Sequence, residues 1–422
     1  MNELMTSHYS NTVCGAIAAV HLMLCAISPA QAQPAPGEVF REYAWAKPDG
    51  DAGGSLRVGG KLDYGGGPLA WPQTLDLENV IKAEVQLAKV LCHDGTHGLA
   101  IQINGRDWTP VPETEGIPEP QSDYQHFTFP VVHVPLADLK AGAGNTFALR
   151  VSKEHPWDWP QNLIYGIVLR IYYDPAQKAH PTGQMTWPQS GATIGRSVPL
   201  RVEPESAGSA LRQVEFVGLF DGVNWEGDGN YRQWHGTYFQ GELTNHLGTV
   251  KAAPWQVEWD TSWVPDQTEP MQIAARITDE SGLTFLTPPS TGLKFDWPGL
   301  RVELCRPYDV PKQWVTRKSE KSEKFRVAGD LSRAAAAQLV WSSWSPGYMN
   351  GEFINGQKVF ESEGPRYACF WHRVPLADLG VLHAGENVLT TGLTPKHDGK
   401  MVHGMEVNWP GIMVLIQYRT QP

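Results

Sequence analysis

The chain has 422 residues, too many for a single core, and is 41% hydrophobic, which excludes a disordered protein and points to several packed domains. Its net charge is −11 and no basic cluster stands out, so nucleic acid and anionic membranes are not expected partners. Glycine (42) and proline (33) mark turns at short intervals and favour many short strands over long helices.

The chain opens on an apolar stretch over residues 13–27, too short to span a membrane, followed by Ala30-Gln31-Ala32. That pattern predicts an export signal over residues 1–32 and a secreted or periplasmic mature chain starting near Gln33. It departs from the usual signal in one respect: no Lys or Arg precedes the apolar stretch. No later segment could span a membrane, so no membrane insertion is expected. Removal of the signal takes Cys14 and Cys25 with it and leaves Cys92, Cys305 and Cys369. Cys305 with Cys369 is the expected disulfide, since both lie in the last module; the alternative is three buried thiols.

A first module is predicted over residues 38–175, with strands at 83–92, 99–103, 146–151 and 163–173. Asn104-Gly105 turns a hairpin, and the Pro- and Glu-rich residues 109–121 read as a long exposed loop. The run Cys92-His93-Asp94-Gly95-Thr96-His97 reads as a polar turn between strands, or alternatively as a metal or sugar contact, with His126 and His133 in the same module.

A middle module is predicted over residues 186–296, with strands at 198–202, 214–220, 255–261 and 272–278. Asp260 and Asp279 sit at strand ends and are assigned to turns. Asp221, Asn224, Glu226 and Asp228 make an oxygen-rich loop that is a candidate for Ca²⁺. It lacks EF-hand spacing, and a plain hairpin loop is the competing reading. No other cofactor is expected, because no nucleotide loop, G-x-S-x-G elbow or H-E-x-x-H helix is present.

The third module is predicted over residues 300–420. Its charged run at 317–324 reads as a solvated loop or edge strand. Residues 334–337 have helical propensity but align with the strand at Ala83-Glu84-Val85, so a strand is expected. The same alignment sets Trp341 against Val90 and Trp344 against His93.

The third module repeats the first. His133-Val134-Pro135-Leu136-Ala137-Asp138-Leu139 returns as Arg373-Val374-Pro375-Leu376-Ala377-Asp378-Leu379. Each copy has an Ile-Asn-Gly upstream, at Asn104 and Asn355, and a glycine-led apolar strand downstream, from Gly166 and Gly411. With Gly142 and Asn145 returning as Gly385 and Asn387, these make four landmarks in one order and indicate two copies of one module. This order resembles the galactose-binding-like jelly roll appended to many glycoside hydrolases. The middle module resembles the bacterial immunoglobulin-like sandwich of secreted polysaccharide-active proteins. The resemblance implies an all-β fold of three β-sandwiches in series: jelly roll, immunoglobulin-like, jelly roll.

Tryptophan is abundant at 17, and several lie beside Asn, Asp or Glu, a pairing that suits sugars. The expected ligand residues are Trp344, Tyr348, Asn350, His403, Glu406, Asn408 and Trp409 in the third module, with Trp157, Asp158 and Trp159 in the first. The leading functional expectation is non-catalytic recognition of a polysaccharide or oligosaccharide. The second is a glycoside hydrolase or lyase, with acids drawn from Asp158, Glu226, Asp228, Glu352 and Glu406 at a module junction. The third is a structural cell-surface protein.

Overall fold

The computed structural model describes residues 34–47, 54–60, 67–91, 93, 96–152, 161–361 and 364–420. The expected export signal, Cys92, Asp94, Trp157, Asp158 and Trp159 lie outside them. The described residues form an all-β protein, in which the named helical elements are three-residue 3-10 turns. None of these is long and apolar enough to cross a membrane. Residue alternation drives the strands: along Ser197–Glu205, Val198, Leu200 and Val202 face inward while Arg201 and Glu203 face out.

In the first copy, Val80–Leu91 pairs antiparallel with Asn162–Tyr173, which pairs in turn with Val39–Trp45. Val131–Val134 completes the far side. A second sheet, in which Ala100–Ile103 pairs with Thr146–Arg150, faces it. Val85, Leu87, Ile101, Phe147, Ile167 and Leu169 fill the space between. The copy in the third module repeats the order with Leu300–Cys305, Met413–Arg419, Ala334–Trp344 and Cys369–Pro375. Its facing sheet is built from Lys321–Val327, Gly385–Thr391 and Glu352–Ile354.

The hairpin asparagines do the same work in both copies. Asn104 and Asn355 both adopt left-handed backbone, φ +49° and +51°. Asn104 Nδ2 donates to Asn145 Oδ1 at 2.8 Å, and its Oδ1 accepts Thr146 N at 2.8 Å. Asn355 Nδ2 donates to Asn387 Oδ1 at 2.8 Å, and its Oδ1 accepts Val388 N at 3.0 Å.

Strand register corrects the alignment of the tryptophans. Leu169 lies opposite Val85, and Val414, its counterpart in the repeat, lies opposite Leu339. Leu87 therefore matches Trp341, and Val90 matches Trp344. The alanine run carries no apolar pattern to fix register, and a bulge between Ala334 and Ala336 shifts it.

The middle segment packs Leu211–Asp221 and Met271–Asp279 against a sheet of Thr182–Trp187, Ser197–Glu205 and Gln256–Asp260. Asp260 Oδ1 caps Ser262 N and Asp279 Oδ1 caps Leu283 N, both turn roles. Leu283–Leu286 pairs with Met271–Asp279 and also with Val39–Trp45. One 13-stranded sheet thus runs from the middle segment into the first copy. An ion network reinforces the joint. Glu42 accepts from Arg170 Nε at 2.8 Å and Arg276 Nη2 at 2.6 Å, and from the Tyr238 hydroxyl. Burial alone would raise the Glu42 pKa, but Arg276 and Arg170 outweigh it and hold it at about 2.

Three expectations change. Cys305 and Cys369 are free and buried. They sit on the two outer strands of a four-strand path, three spacings or roughly 14 Å apart, beyond disulfide reach. The loop at 109–121 is not simply exposed: Ile117 is buried, and the Gln121 amide exchanges hydrogen bonds with the backbone of Thr114. Within the charged run, Glu323 is buried, because alternation along Lys321–Val327 turns it inward with Phe325.

Candidate glycan-binding site

The loops at one end of the third module hold an aromatic cluster. Trp344 is the last residue of its strand, paired with Cys369 and Glu406, not a residue of the following loop. It is 8% exposed, and its indole N–H donates to the Tyr165 hydroxyl of the first copy at 3.2 Å. His403 meets its ring edge at 4.8 Å and pairs with Glu406 Oε1 at 2.5 Å. Tyr348 is 4% exposed. The structure therefore brings Trp344, Tyr348, His403 and Glu406 together, with Trp344 and Tyr348 as backing and not as an open platform.

The open ring is Tyr367, which the sequence reading did not single out. It is 47% exposed, 5.9 Å from Trp344 and 5.5 Å from Tyr348 between ring centres. The Tyr348 hydroxyl donates to the Tyr367 hydroxyl at 2.8 Å. Two non-glycine residues here adopt left-handed backbone, Ser345 and Tyr367, both at φ +58°. Each supports the other: Tyr367 N donates to Ser345 Oγ at 2.9 Å and Ser345 N to Ala368 O at 2.9 Å. Strain of this kind persists only where its surroundings impose it. Arg366 stacks over Tyr348 at 4.9 Å and contacts His397 Nδ1 at 3.3 Å, placing two polar groups beside the Tyr348 ring.

Three further expected residues, Asn350, Asn408 and Trp409, are described. Asn350 is exposed. Asn408 is buried, with Nδ2 donating to Ser342 Oγ at 3.2 Å. Trp409 faces the first copy, 5.2 Å from Tyr124, with its backbone N–H on Gln125 O at 2.7 Å.

The oxygen-rich loop is occupied by its own bonds. Asp221 Oδ2 accepts Thr268 N at 2.8 Å. Asp228 Oδ1 accepts Asn224 Nδ2 at 2.7 Å and Asn230 N at 2.9 Å. Glu226 holds Gln233 Nε2 at 2.9 Å and His235 Nδ1 at 3.3 Å. Burial lowers the His235 pKa, but Glu226 beside it outweighs burial and raises it. The loop is a wedge between the copies. A Cβ at Gly227 would strike the Phe127 carbonyl, and one at Gly116 the Asp228 carbonyl. Among the described residues no group of three His, Cys, Asp or Glu is arranged to hold a metal.

Among the described acids, Glu352 and Glu323 are enclosed in the third module. Glu352 is fully buried in the third core with both oxygens unpartnered, and burial raises its pKa well above the usual range. Glu323 behaves likewise, through burial and then the neighbouring Glu352.

No family model and no curated protein matches the sequence. Solved structures show distant likeness. BuGH86 in complex with neoagarooctaose is 10% identical, covering 57% of this chain and 34% of that one, at a TM-score of 0.23. A β-porphyranase of glycoside hydrolase family 86 from the human gut bacterium Bacteroides plebeius is 13% identical over 59% and 39% of the two chains, at 0.22. A DUF4785 family protein from Legionella pneumophila is 9% identical over 94% and 90%, at 0.25. The chain spans little more than a third of the length of the first two, and likenesses at these scores say nothing of activity.

Proposed function

We propose that this is an exported glycan-recognition protein that binds polysaccharide without cleaving it. In this reading galactose-binding-like jelly rolls, over residues 38–175 and 300–420, flank an immunoglobulin-like sandwich over 186–296. The observation that carries the proposal is Tyr367. A rigidly held, half-open aromatic ring backed by Trp344 and Tyr348 offers a face to the C–H side of a sugar. Arg366, His397 and His403 stand close enough to bond its hydroxyls. The enzyme alternative needs two facing, accessible carboxylates, about 5 Å or 6.5–9.5 Å apart. Glu226 and Asp228 are tied to neighbours and Glu352 is in a core, which favours binding over hydrolysis.

The test is affinity electrophoresis against a panel of soluble polysaccharides, with product analysis. The wild-type chain should be retarded by at least one, release no fragments, and lose about tenfold in affinity (about 1.4 kcal/mol) on Tyr367→Ala with its melting temperature unchanged. Retardation by neutral polysaccharides undiminished in Tyr367→Ala, or released oligosaccharides, would refute the proposal.

A further inference from the structure

A second concavity lies where the middle segment meets the third module, a cleft of about 330 Å³ lined by Trp225, Trp259, Trp263, His246, Gln338 and Arg373 among others. Its size falls at the small end of ligand pockets, about 300–1,000 Å³. Hydrogen bonds between the two sides fix its walls. Asp266 N donates to Val302 O at 2.9 Å, Val302 N to Asp266 Oδ1 at 3.0 Å, and Gln417 Nε2 to Ser262 O at 2.7 Å.

Three features point to a ligand. Gln338 is 5% exposed, lines the cleft, and its amide nitrogen has no partner. His246 Nδ1 is also buried without a partner, while its Nε2 is held by Thr249 Oγ1 at 2.6 Å. Arg373 stacks over Trp225 at 5.1 Å, and among the described residues no carboxylate lies within salt-bridge reach of it. Burial holds His246 down to about 4, so it is neutral at neutral pH and Arg373 supplies the free positive charge. The lining acid, Asp260, is exposed and occupied with Ser262 N at 2.9 Å. Arg373 also marks a difference between the copies: it lies opposite Val340, and the residue so placed in the first copy, opposite Gln86, is Val131.

We infer that this cleft binds an acidic sugar unit of a glycan, its ring against Trp263, its anionic group on Arg373, and an oxygen on the Gln338 amide. The inference rests on the glycan-recognition reading and specifies the substrate class. A guanidinium suits either a carboxylate or a sulfate ester.

Calorimetric titration of the mature chain separates these sources, using oligogalacturonate, alginate oligouronate, a sulfated galactan oligosaccharide and a neutral galactan oligosaccharide. At least one anionic ligand should bind about tenfold tighter than the neutral one. Arg373→Gln should abolish that preference, and Arg373→Lys should retain most of it. The arm that responds, uronate or sulfate, identifies the anion. An anionic preference unchanged in Arg373→Gln, or equally lost in Arg373→Lys, overturns the charge recognition. Neutral glycan bound as tightly as every anionic one overturns the cleft proposal alone. Failure of all four, and of every polysaccharide in the electrophoretic panel, overturns the wider reading as well.

Discussion

Trp344 and Tyr367 lie within 5.9 Å of each other and do different work. Trp344 closes a strand and ties the third module to the first through Tyr165, packed with Val90, Phe127 and Cys369. Trp344→Ala should therefore cost about 3–5 kcal/mol of stability, measured by urea denaturation, by the reckoning for large buried aromatics. An unchanged midpoint with lost glycan binding would return Trp344 to the ligand surface. The meeting of Trp344, Tyr348, His403 and Glu406 was legible in the sequence. Their exposure was not. Ser343-Trp344-Ser345-Pro346 has the composition of a loop, yet pairing with Cys369 and Glu406 keeps Trp344 in the sheet. Tyr367 gives no signal, because its left-handed backbone depends on Ser345, 22 residues away. Arg373 was visible only as a change in a repeated motif, and its cleft is assembled from distant segments.

Elements were easier to read than contacts between them. The Ile-Asn-Gly turns and the glycine-led strands predict the repeat, and the matched asparagine bonds explain why those letters persist. A strand at 334–337 was recovered only by comparison with the other copy, because four alanines by themselves favour helix. The join between the first copy and the middle segment has no local pattern. It depends on pairing of Val39–Trp45 with Leu283–Leu286, and on the Glu42 network. Glu42 has its pKa depressed to about 2 from an ordinary 4.5. Its contribution is therefore present above about pH 4.5 and lost as pH falls from there toward 2. Glu42→Gln removes the carboxylate shared by two buried guanidinium groups, leaving Arg170 on Glu84 and Arg276 on Glu215, and should cost about 1.5–3 kcal/mol at neutral pH. It should also flatten the fall in melting temperature between pH 4.5 and 2. A variant as stable as the parent, with the same acid slope, would show that the joint does not rest on this carboxylate.

At the scale of the molecule, the repeats are bound together by what lies between them. The 222–230 loop meets Gly116 and Phe127 of the first copy, and Val223 and Trp225 pack on Val340 and Met413 of the third module. The sequence displays this loop as a string of oxygen ligands, and only packing shows that the oxygens serve their own turn. The architecture leaves Tyr367 open at one end of the third module and a tryptophan-lined cleft beside the middle segment. The most direct test of glycan recognition at Tyr367 is hydrogen–deuterium exchange with a neutral fragment of the polysaccharide that retards the protein most. The account predicts slowed exchange in residues 364–368 and 397–404, with residues 99–152 of the first copy unchanged. Protection confined to the first copy, or none in residues 364–404 at saturating ligand, would contradict it.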